Sequence, residues 1–457
     1  MAPTTGTLAA LDTAQLVRAD HAHLVHPLHN AGDAADPFVW VKGEGAVLHT
    51  ADGREFIDGL SCLWNVNVGH GRRELADVAA RQMAQLAFVS SYVGQTNVPA
   101  AQLAEKVASL CYSSINHFFF ASGGGESNDS AIKTARYFWI AQGKPAKTKI
   151  ISREHAYHGV TIGAMSATGM PAFWPMFGGK LPGFIHIPSP YPYRFVPDDP
   201  SVTPGVAAAN LLERAILSEG ADTVAAFIAE PVQGAGGLMV PPDDYFPRIR
   251  AICDTYDVLF IADEVITGFG RTGKWFGLER YGVEPDILSF AKGITSGYIP
   301  LGGIGLSDRV YALIANAPPD KRWMHALTYS GHPVACAVAL ANIAILEREN
   351  LLAAAAKQGA KLLSGLHQLS SLAHVGDVRG LGLLAGVELV EDTATKKAFD
   401  PSRKVGERLV KECYRRGLVS RARMDIYCIA PPFVVSDAQV DRIVNVLGDA
   451  IPVVTAG

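Results

Sequence analysis

One lysine at the end of an apolar run is the first residue of this 457-residue chain with a clear chemical use. Lys292 directly follows Asp286–Ala291, whose composition predicts a buried strand, and it precedes Gly293. A lysine in a partly apolar environment has a lowered pKa, and its free amine can form a Schiff base with a carbonyl carbon. Taken alone, the pattern also fits an ordinary surface lysine after a strand.

An acidic residue ends another apolar run, and its carboxylate would need a cationic partner if it is buried. Asp263 is the last residue of Val258–Asp263, a second predicted strand, where an unpaired carboxylate is costly to bury. A protonated pyridine nitrogen would satisfy it, and pyridoxal phosphate supplies such a nitrogen. An N-cap or a buried salt bridge is the plain alternative.

A glycine run completes the pattern. Ser122–Glu126 contains three consecutive glycines between a predicted strand and a predicted helix. Backbone N–H groups at such a junction can bind a phosphate at the positive end of the helix, although a simple loop would also contain glycine. Together the phosphate loop, the pyridine partner and the lysine predict one cofactor, pyridoxal phosphate.

The elements that must position these residues alternate between strand and helix patterns. Three apolar runs between residues 224 and 291 are separated by segments with helical spacing. Such strands are typical of a parallel sheet covered on both faces. We therefore predict an α/β fold with a mostly parallel sheet in a large domain and a smaller α+β domain from the two chain ends. The predicted bounds are 1–69 for the N-terminal arm and part of the small domain, 70–332 for the large domain and 333–457 for the C-terminal small domain.

Composition excludes several functional classes. Hydrophobic residues at 49% and charged residues at 18% are typical of a globular protein and not of a disordered one. A net charge of −4 argues against nucleic acid as a main partner. Six scattered cysteines without a Cys-x-x-Cys pair favour a reducing compartment. With no signal-like or membrane-spanning run in view, we expect a cytoplasmic protein without membrane contact.

Two local patterns suggest other activities. Gly268–Gly273 matches the fingerprint of a nicotinamide-dependent dehydrogenase, but Gly277 interrupts the helix that this site needs, and Asp263 and Glu264 would repel a pyrophosphate. Histidines at 21, 23, 26 and 29 suggest a metal site. No carboxylate or cysteine stands near them at zinc-site spacing, so we expect interface or hydrogen-bonding residues and predict no metal.

The segment that carries the acid and the lysine is similar to that of a known family. Phe260–Gly273, followed by Ala291–Gly293, resembles the class III aminotransferases, fold-type I pyridoxal-phosphate enzymes that include amine:pyruvate and omega-amino acid:pyruvate transaminases. The resemblance runs from Gly43 to Phe433. It implies transfer of an amino group from a primary amine or omega-amino acid to pyruvate, giving alanine. An amino-group racemase or mutase on the same scaffold is the alternative, and the dehydrogenase is the alternative from another class.

The resemblance also implies roles around the cofactor. Lys292 would bind it covalently and later carry the proton between it and the substrate carbon, and Asp263 would pair with the pyridinium nitrogen. The other implied contacts are Tyr157 and Val265 on the two ring faces, Gly124 and Gly125 through backbone N–H groups, Glu230 in the same network, and Thr328 on the phosphate of the other subunit. The last contact implies an obligatory homodimer or a dimer of dimers. Relatives often carry serine where Gly125 stands, which predicts looser cofactor retention here.

On the substrate side the resemblance implies an aromatic wall and a carboxylate receptor. Trp64 and Tyr92 would form the wall, although either also fits as a core or interface aromatic. Arg421 aligns with a mobile arginine that receives the acceptor's carboxylate, and Arg423 is close enough in sequence to compete. The donor stays open among taurine, beta-alanine, putrescine-like diamines and arylalkyl amines.

Overall fold

The structure is a computed structural model that describes residues 12–28 and 37–456. Of the histidine cluster, His29 lies outside the described residues, and His21, His23 and His26 are exposed. Within the described ranges, no helix combines the length and the apolar character needed to cross a membrane.

Fifteen strands and thirteen helices are defined in the described ranges. The strands are β1 Trp40–Glu44, β2 Val47–Thr50, β3 Glu55–Asp58, β4 Ile115–Ala121, β5 Lys149–Arg153, β6 Phe184–Ile187, β7 Val224–Ala229, β8 Leu259–Asp263, β9 Ile287–Phe290, β10 Gly302–Ser307, β11 Val375–Gly380, β12 Ala385–Leu389, β13 Leu418–Val419, β14 Arg421–Arg423 and β15 Ile426–Ile429. The helices are α1 Thr13–His23, α2 Ser61–Trp64, α3 Arg73–Gln85, α4 Val98–Leu110, α5 Gly124–Ala141, α6 Ile162–Ala167, α7 Pro204–Glu219, α8 Tyr245–Thr255, α9 Asp308–Ala315, α10 Pro333–Arg348, α11 Leu351–Gln368, α12 Val405–Arg415 and α13 Asp437–Thr455.

A seven-stranded sheet forms the centre of the molecule, in the order β4-β10-β9-β8-β7-β5-β6. The neighbours β9-β8-β7-β5-β6 are all parallel, and β10 runs antiparallel to both β9 and β4. The predicted α/β fold with a mostly parallel sheet is therefore confirmed, with one strand reversed.

The central strands are apolar on both faces because both faces are covered. In β8, Phe260 and Ala262 pack into one apolar core, whereas Leu259 and Ile261 pack into another on the opposite face. All residues of β7, β8, β9 and β10 are buried. The uninterrupted apolar runs in the sequence follow from this two-sided burial.

Two four-stranded sheets come from the chain ends. One has the order β1-β2-β3-β13 and so joins residues 40–58 to residues 418–419, and the other has the order β11-β12-β15-β14. The proposed domain bounds at 69 and 332 remain a prediction.

The direction of the central strands brings distant segments to one edge. Because β4 and β9 both run antiparallel to β10, β4 points the same way as the parallel strands. The carboxyl ends of β4, β5, β7, β8 and β9 therefore meet at the same edge, where α/β sheets place their ligand sites. The predicted site residues lie at the ends of these strands or in the segments that follow them.

Candidate functional site

A cavity of about 230 Å³ lies at this carboxyl edge. Its wall combines apolar side chains with a few ionisable and amide groups, as ligand pockets do. The lining residues are Leu63, Gly124, Gly125, Asn128, Tyr157, His158, Gly159, Val160, Thr161, Glu230, Asp263, Val265, Ile266 and Lys292. Seven of the residues predicted from the sequence therefore lie in one pocket.

Lys292 sits just beyond β9 in a left-handed backbone conformation, with φ of 49°. Its ammonium nitrogen lies 5.6 Å from the centre of the Trp64 ring. Burial lowers the pKa of this amine to about 8, and Arg421 acts in the same direction, while Asp263 and Glu230 oppose it. Roughly a tenth of the amine is therefore unprotonated at pH 7, far more than at the ordinary lysine pKa, and covalent capture of a carbonyl requires this unprotonated form.

Asp263 ends β8 with only 3% of its surface exposed. Its Oδ2 accepts hydrogen bonds from Asn128 Nδ2 at 2.8 Å and from His158 Nδ1 at 2.7 Å. Its Oδ1 accepts one from the Val265 N–H at 3.1 Å. These three donors hold the carboxylate in one orientation, with its free edge in the pocket wall. That is the arrangement a protonated ring nitrogen needs in a partner.

Asn128 and His158 line the cavity and bind Asp263, and the sequence reasoning missed both. Ser289 Oγ donates to Asn128 Oδ1 at 2.6 Å, which turns the Asn128 amide N–H groups towards Asp263 and towards the backbone carbonyl of His158. Both side chains are buried. A polar residue inside an apolar helix and a histidine beside Tyr157 were the available signals, but each also fits an ordinary satisfied core residue.

The predicted phosphate loop lies at the N-terminus of α5. The N–H groups of Gly124 and Gly125 precede the first helical hydrogen bond, from Ser127 N–H to the Gly123 carbonyl at 3.0 Å, so they remain available to an anion. The nearby Glu126 carboxylate accepts the Ser122 N–H at 2.8 Å. The loop therefore offers donors without a free acid at its centre.

Glu230 follows β7 and forms the floor beside Tyr157. Its carboxylate accepts the backbone N–H groups of Tyr157 at 3.1 Å and Gly234 at 3.2 Å. Burial raises the pKa of this carboxyl to about 7, with Asp263 acting in the same direction. Glu230 therefore anchors the segment that presents the Tyr157 ring to the pocket.

Trp64 and Arg421 lie next to each other near Lys292. The Trp64 side chain is buried, and the Arg421 guanidinium lies 5.4 Å from the centre of its ring. Arg423 lies elsewhere: burial and Arg423 together lower the pKa of His155. Of the two competing arginines, Arg421 is the one placed beside Lys292.

Besides Trp64 and Arg421, which lie near Lys292, two predicted residues do not line the cavity within one chain. Tyr92 is 57% exposed, and its backbone N–H binds Ser90 Oγ at 3.2 Å. Thr328 is also exposed, in the segment before α10. Neither lines the cavity of the single chain. Tyr92 as a pocket aromatic and Thr328 as a phosphate contact of the other subunit both remain predictions.

Comparison with known proteins agrees with this geometry. The sequence model of the family described as aminotransferase class-III matches residues 29–451. The chain belongs to this family. It is 42% identical over 405 residues to a putrescine–pyruvate aminotransferase of Pseudomonas aeruginosa, covering 88% of each protein, and 40% identical to a diaminobutyrate–2-oxoglutarate transaminase of Halomonas elongata, covering 90% of this chain and 89% of the relative.

Solved structures extend the match to the whole fold. An (S)-enantioselective omega-transaminase from Thermomicrobium roseum superposes with a TM-score of 0.93 at 49% identity, covering 96% of this chain and 98% of that one. An omega-transaminase from Pseudomonas jessenii, solved with PMP, gives 0.92 at 37% identity, covering 96% and 98%. This class III aminotransferase is a fold-type I enzyme whose cofactor is pyridoxal phosphate.

The glycine fingerprint at Gly268–Gly273 has another use in this aminotransferase. The helix that follows is only the short 3-10 turn Gly277–Tyr281, which is too short for a dinucleotide site. Arg271 within the motif is buried and donates to the Ala430 and Pro431 carbonyls at 3.2 and 2.6 Å. The dehydrogenase alternative is therefore wrong. The motif instead packs against the C-terminal segment through the hydrogen bonds of Arg271.

The space at the phosphate loop allows a matched pair of variants. A Cβ at Gly125 would lie 3.6 Å from Thr161 Cγ2, an ordinary contact, whereas a Cβ at Gly124 would lie 2.9 Å from Val265 Cγ1. We expect Gly125→Ser to add a hydroxyl donor to the phosphate and slow cofactor loss about tenfold, the effect of one hydrogen bond to a charged group. Gly124→Ser should speed the loss. The measurement is cofactor release after dilution, and an unchanged rate in Gly125→Ser would contradict the expectation.

Proposed function

We propose that this aminotransferase moves an amino group from a primary amine or omega-amino acid to pyruvate and thereby forms alanine. The observation that carries the proposal is the position of Arg421, whose guanidinium lies 5.4 Å from the centre of the Trp64 ring, while Lys292 Nζ lies 5.6 Å from the same ring centre. A guanidinium there can receive the carboxylate of a small keto acid through two parallel hydrogen bonds. The named activity of the Pseudomonas aeruginosa relative, putrescine–pyruvate aminotransferase, supports pyruvate as the acceptor.

The chain's residues divide the work between holding the cofactor and moving a proton. Bound pyridoxal phosphate withdraws electrons from the substrate carbon through its ring. In our proposal Asp263 keeps the ring nitrogen protonated, and the Gly124 and Gly125 N–H groups hold the phosphate. Lys292 Nζ removes the proton from the substrate carbon, and an amine with a pKa of about 8 can act as this base near neutral pH.

The apolar wall favours donors without a carboxylate at the reacting carbon. Leu63, Val265 and Ile266 line the cavity together with Lys292, and the centre of the Trp64 ring lies 5.6 Å from Lys292 Nζ. An amine that carries only hydrogen and carbon at this position would bury its body against these side chains. Arg421 has no carboxylate to bind in that half-reaction, and in our proposal it turns away from Lys292 to admit the uncharged donor.

An absorbance experiment tests the proposed reaction. The purified protein is recorded alone, after addition of putrescine, beta-alanine, taurine or an arylalkyl amine, and then after pyruvate. A donor should bleach the visible band of the lysine-bound cofactor, and pyruvate should restore it while one alanine forms per amine consumed. Product formation without any keto acid would indicate a racemase or mutase, and recovery with 2-oxoglutarate but not with pyruvate would overturn the acceptor assignment.

Replacement of Arg421 by alanine should separate the two half-reactions. We expect the rate with pyruvate to fall at least about thirtyfold because the acceptor carboxylate loses its ionic partner, while the rate with a simple aryl or alkyl amine changes little. Single-turnover bleaching and recovery of the cofactor band measure both rates. Arg423→Ala is the matched control and should leave both unchanged. A selective loss in Arg423→Ala instead would assign the acceptor site to Arg423.

We also infer a homodimer, and further contacts between two such dimers would give a dimer of dimers. Exposed apolar side chains near Tyr92 and Thr328 support a subunit interface in this region. They are Phe88, Tyr92, Val93, Met324 and Tyr329. A second copy placed on this surface would cover them and bring its Thr328 towards the neighbouring phosphate loop.

A further inference from the structure

Three side chains that could hold a metal ion lie close together near the turn that carries Trp64. Asp58, Cys62 and His70 each present one ligand atom, and these atoms lie within 4.8 Å of one another. None of the three lines the cofactor cavity. The proposed transamination uses none of them, so the cluster needs a separate account.

The distances between the ligand atoms are close to those of a tetrahedral zinc site. His70 Nε2 lies 2.8 Å from Asp58 Oδ2 and 3.8 Å from Cys62 Sγ. With zinc bonds of about 2.0–2.3 Å, ligand atoms in a tetrahedral site are separated by about 3.4–3.6 Å. His70 Nε2 and Asp58 Oδ2 would have to separate by about 0.6–0.8 Å, and His70 Nε2 and Cys62 Sγ would have to approach by about 0.2–0.4 Å, to surround one ion.

Two of the ligands are held in place before any ion binds. The Asp58 side chain is fully buried at the end of β3, and its carboxylate accepts the backbone N–H groups of Leu60 and Cys62. The His70 ring packs on Gly43, where a Cβ would lie 2.8 Å from His70 Cβ. Cys62 is exposed and leaves the cluster open to solvent on its side.

We propose that Asp58, Cys62 and His70 form an inhibitory site for a thiophilic divalent cation of the Zn²⁺ type. The carboxylate, the thiolate and one imidazole nitrogen bind the ion, and water fills the fourth position. The thiol releases its proton to solvent as the Cys62 Sγ–metal bond forms. The hydrogen bond between His70 Nε2 and Asp58 Oδ2 breaks as the ion enters, and neutral His70 then carries its proton on Nδ1.

The site acts on the reaction through the short α2 turn. Cys62 and Trp64 are separated by one residue, and both have positive φ, at 55° and 57°. An ion that separates Asp58 from His70 and draws in Cys62 moves this turn and, with it, the Trp64 ring. Because that ring contacts both Lys292 and Arg421, turnover falls.

The test uses holoenzyme free of excess cofactor in a buffer that does not chelate metals. Zn²⁺ bound per chain is measured by equilibrium dialysis, and transaminase turnover is measured at each Zn²⁺ concentration and again after EDTA. We expect one ion per chain and inhibition that EDTA reverses. Cys62→Ser should weaken zinc binding at least about tenfold and remove the inhibition, since it loses a direct ligand.

Further variants keep the test decisive. Cys62→Gly removes the thiol and suits the positive φ, so it serves if the serine variant fails to fold. Cys111→Ser is the thiol control, because Cys111 is partly buried at the end of α4, and it should bind zinc and be inhibited as the natural chain is. Equal zinc binding by the Cys62 variants would overturn the site. Stoichiometric binding at Cys62 without loss of turnover would overturn its inhibitory role.

Discussion

Replacement of Lys292 by alanine is expected to abolish the visible band of the bound cofactor and to lower transamination at least about a thousandfold. The amine is the only group proposed for both the covalent link and the proton transfer at the substrate carbon, and positioned proton transfer alone contributes about a hundredfold to ten-thousandfold. The lowered pKa, about 8, arises from burial at the pocket floor. No neighbouring side chain that we have placed in the pocket offers a second amine.

The measurement compares cofactor content, absorbance and turnover with those of a matched variant. Lys147 is also buried, and burial likewise lowers its pKa, but its ammonium donates to backbone carbonyls, including that of Asp257 at 2.7 Å. Lys147→Met should cost stability while leaving the cofactor band and the turnover per folded enzyme intact. A Lys292→Ala protein that retains turnover within tenfold would remove Lys292 from the proposed mechanism.

The positions of Lys292, Asp263 and Glu230 were predictable because each follows a short apolar strand. Parallel strands of one sheet end at one edge, so residues at these ends share a site even when they are far apart in sequence. The Gly124–Gly125 junction obeys the same rule, since β4 points in the same direction as β8 and β9. The apolar strand pattern and the parallel sheet topology together are therefore enough to predict that these residues share one pocket.

Other parts depend on contacts that a sequence pattern does not contain. Asn128 and His158 matter because both reach one oxygen of Asp263, and this geometry appears only when α5 packs on the sheet. Arg421 and Arg423 are two residues apart on the three-residue strand β14, and only their surroundings distinguish them. Tyr92 and Thr328 involve a second subunit in our proposal, so neither one sequence nor one chain determines their contacts.

Conversion of Asp263 to asparagine is expected to lower the rate with amine donors about a hundredfold to a thousandfold, the scale of losing one preorganised electrostatic partner. The amide oxygen of the variant would still accept from Asn128 and His158. Its NH₂ group would then face the Val265 N–H and the ring nitrogen, and would donate where the carboxylate accepted. The ring nitrogen would lose its proton, and the ring would withdraw electrons less strongly. The expected loss therefore appears in the deprotonation step and not in covalent capture by Lys292.

Glu264 provides the control, because its side chain does not line the cavity and can undergo the same acid-to-amide change. Its buried carboxylate accepts hydrogen bonds from Tyr112, Thr267 and the backbone N–H groups of Gly277 and Leu278. Glu264→Gln should lower thermal stability but leave single-turnover bleaching by the amine nearly unchanged. Asp263→Asn should show the reverse: a cofactor band that forms normally and bleaches slowly. If both variants slow bleaching equally, the effect of Asp263 is structural, and its pairing with the ring nitrogen is not the source of the rate.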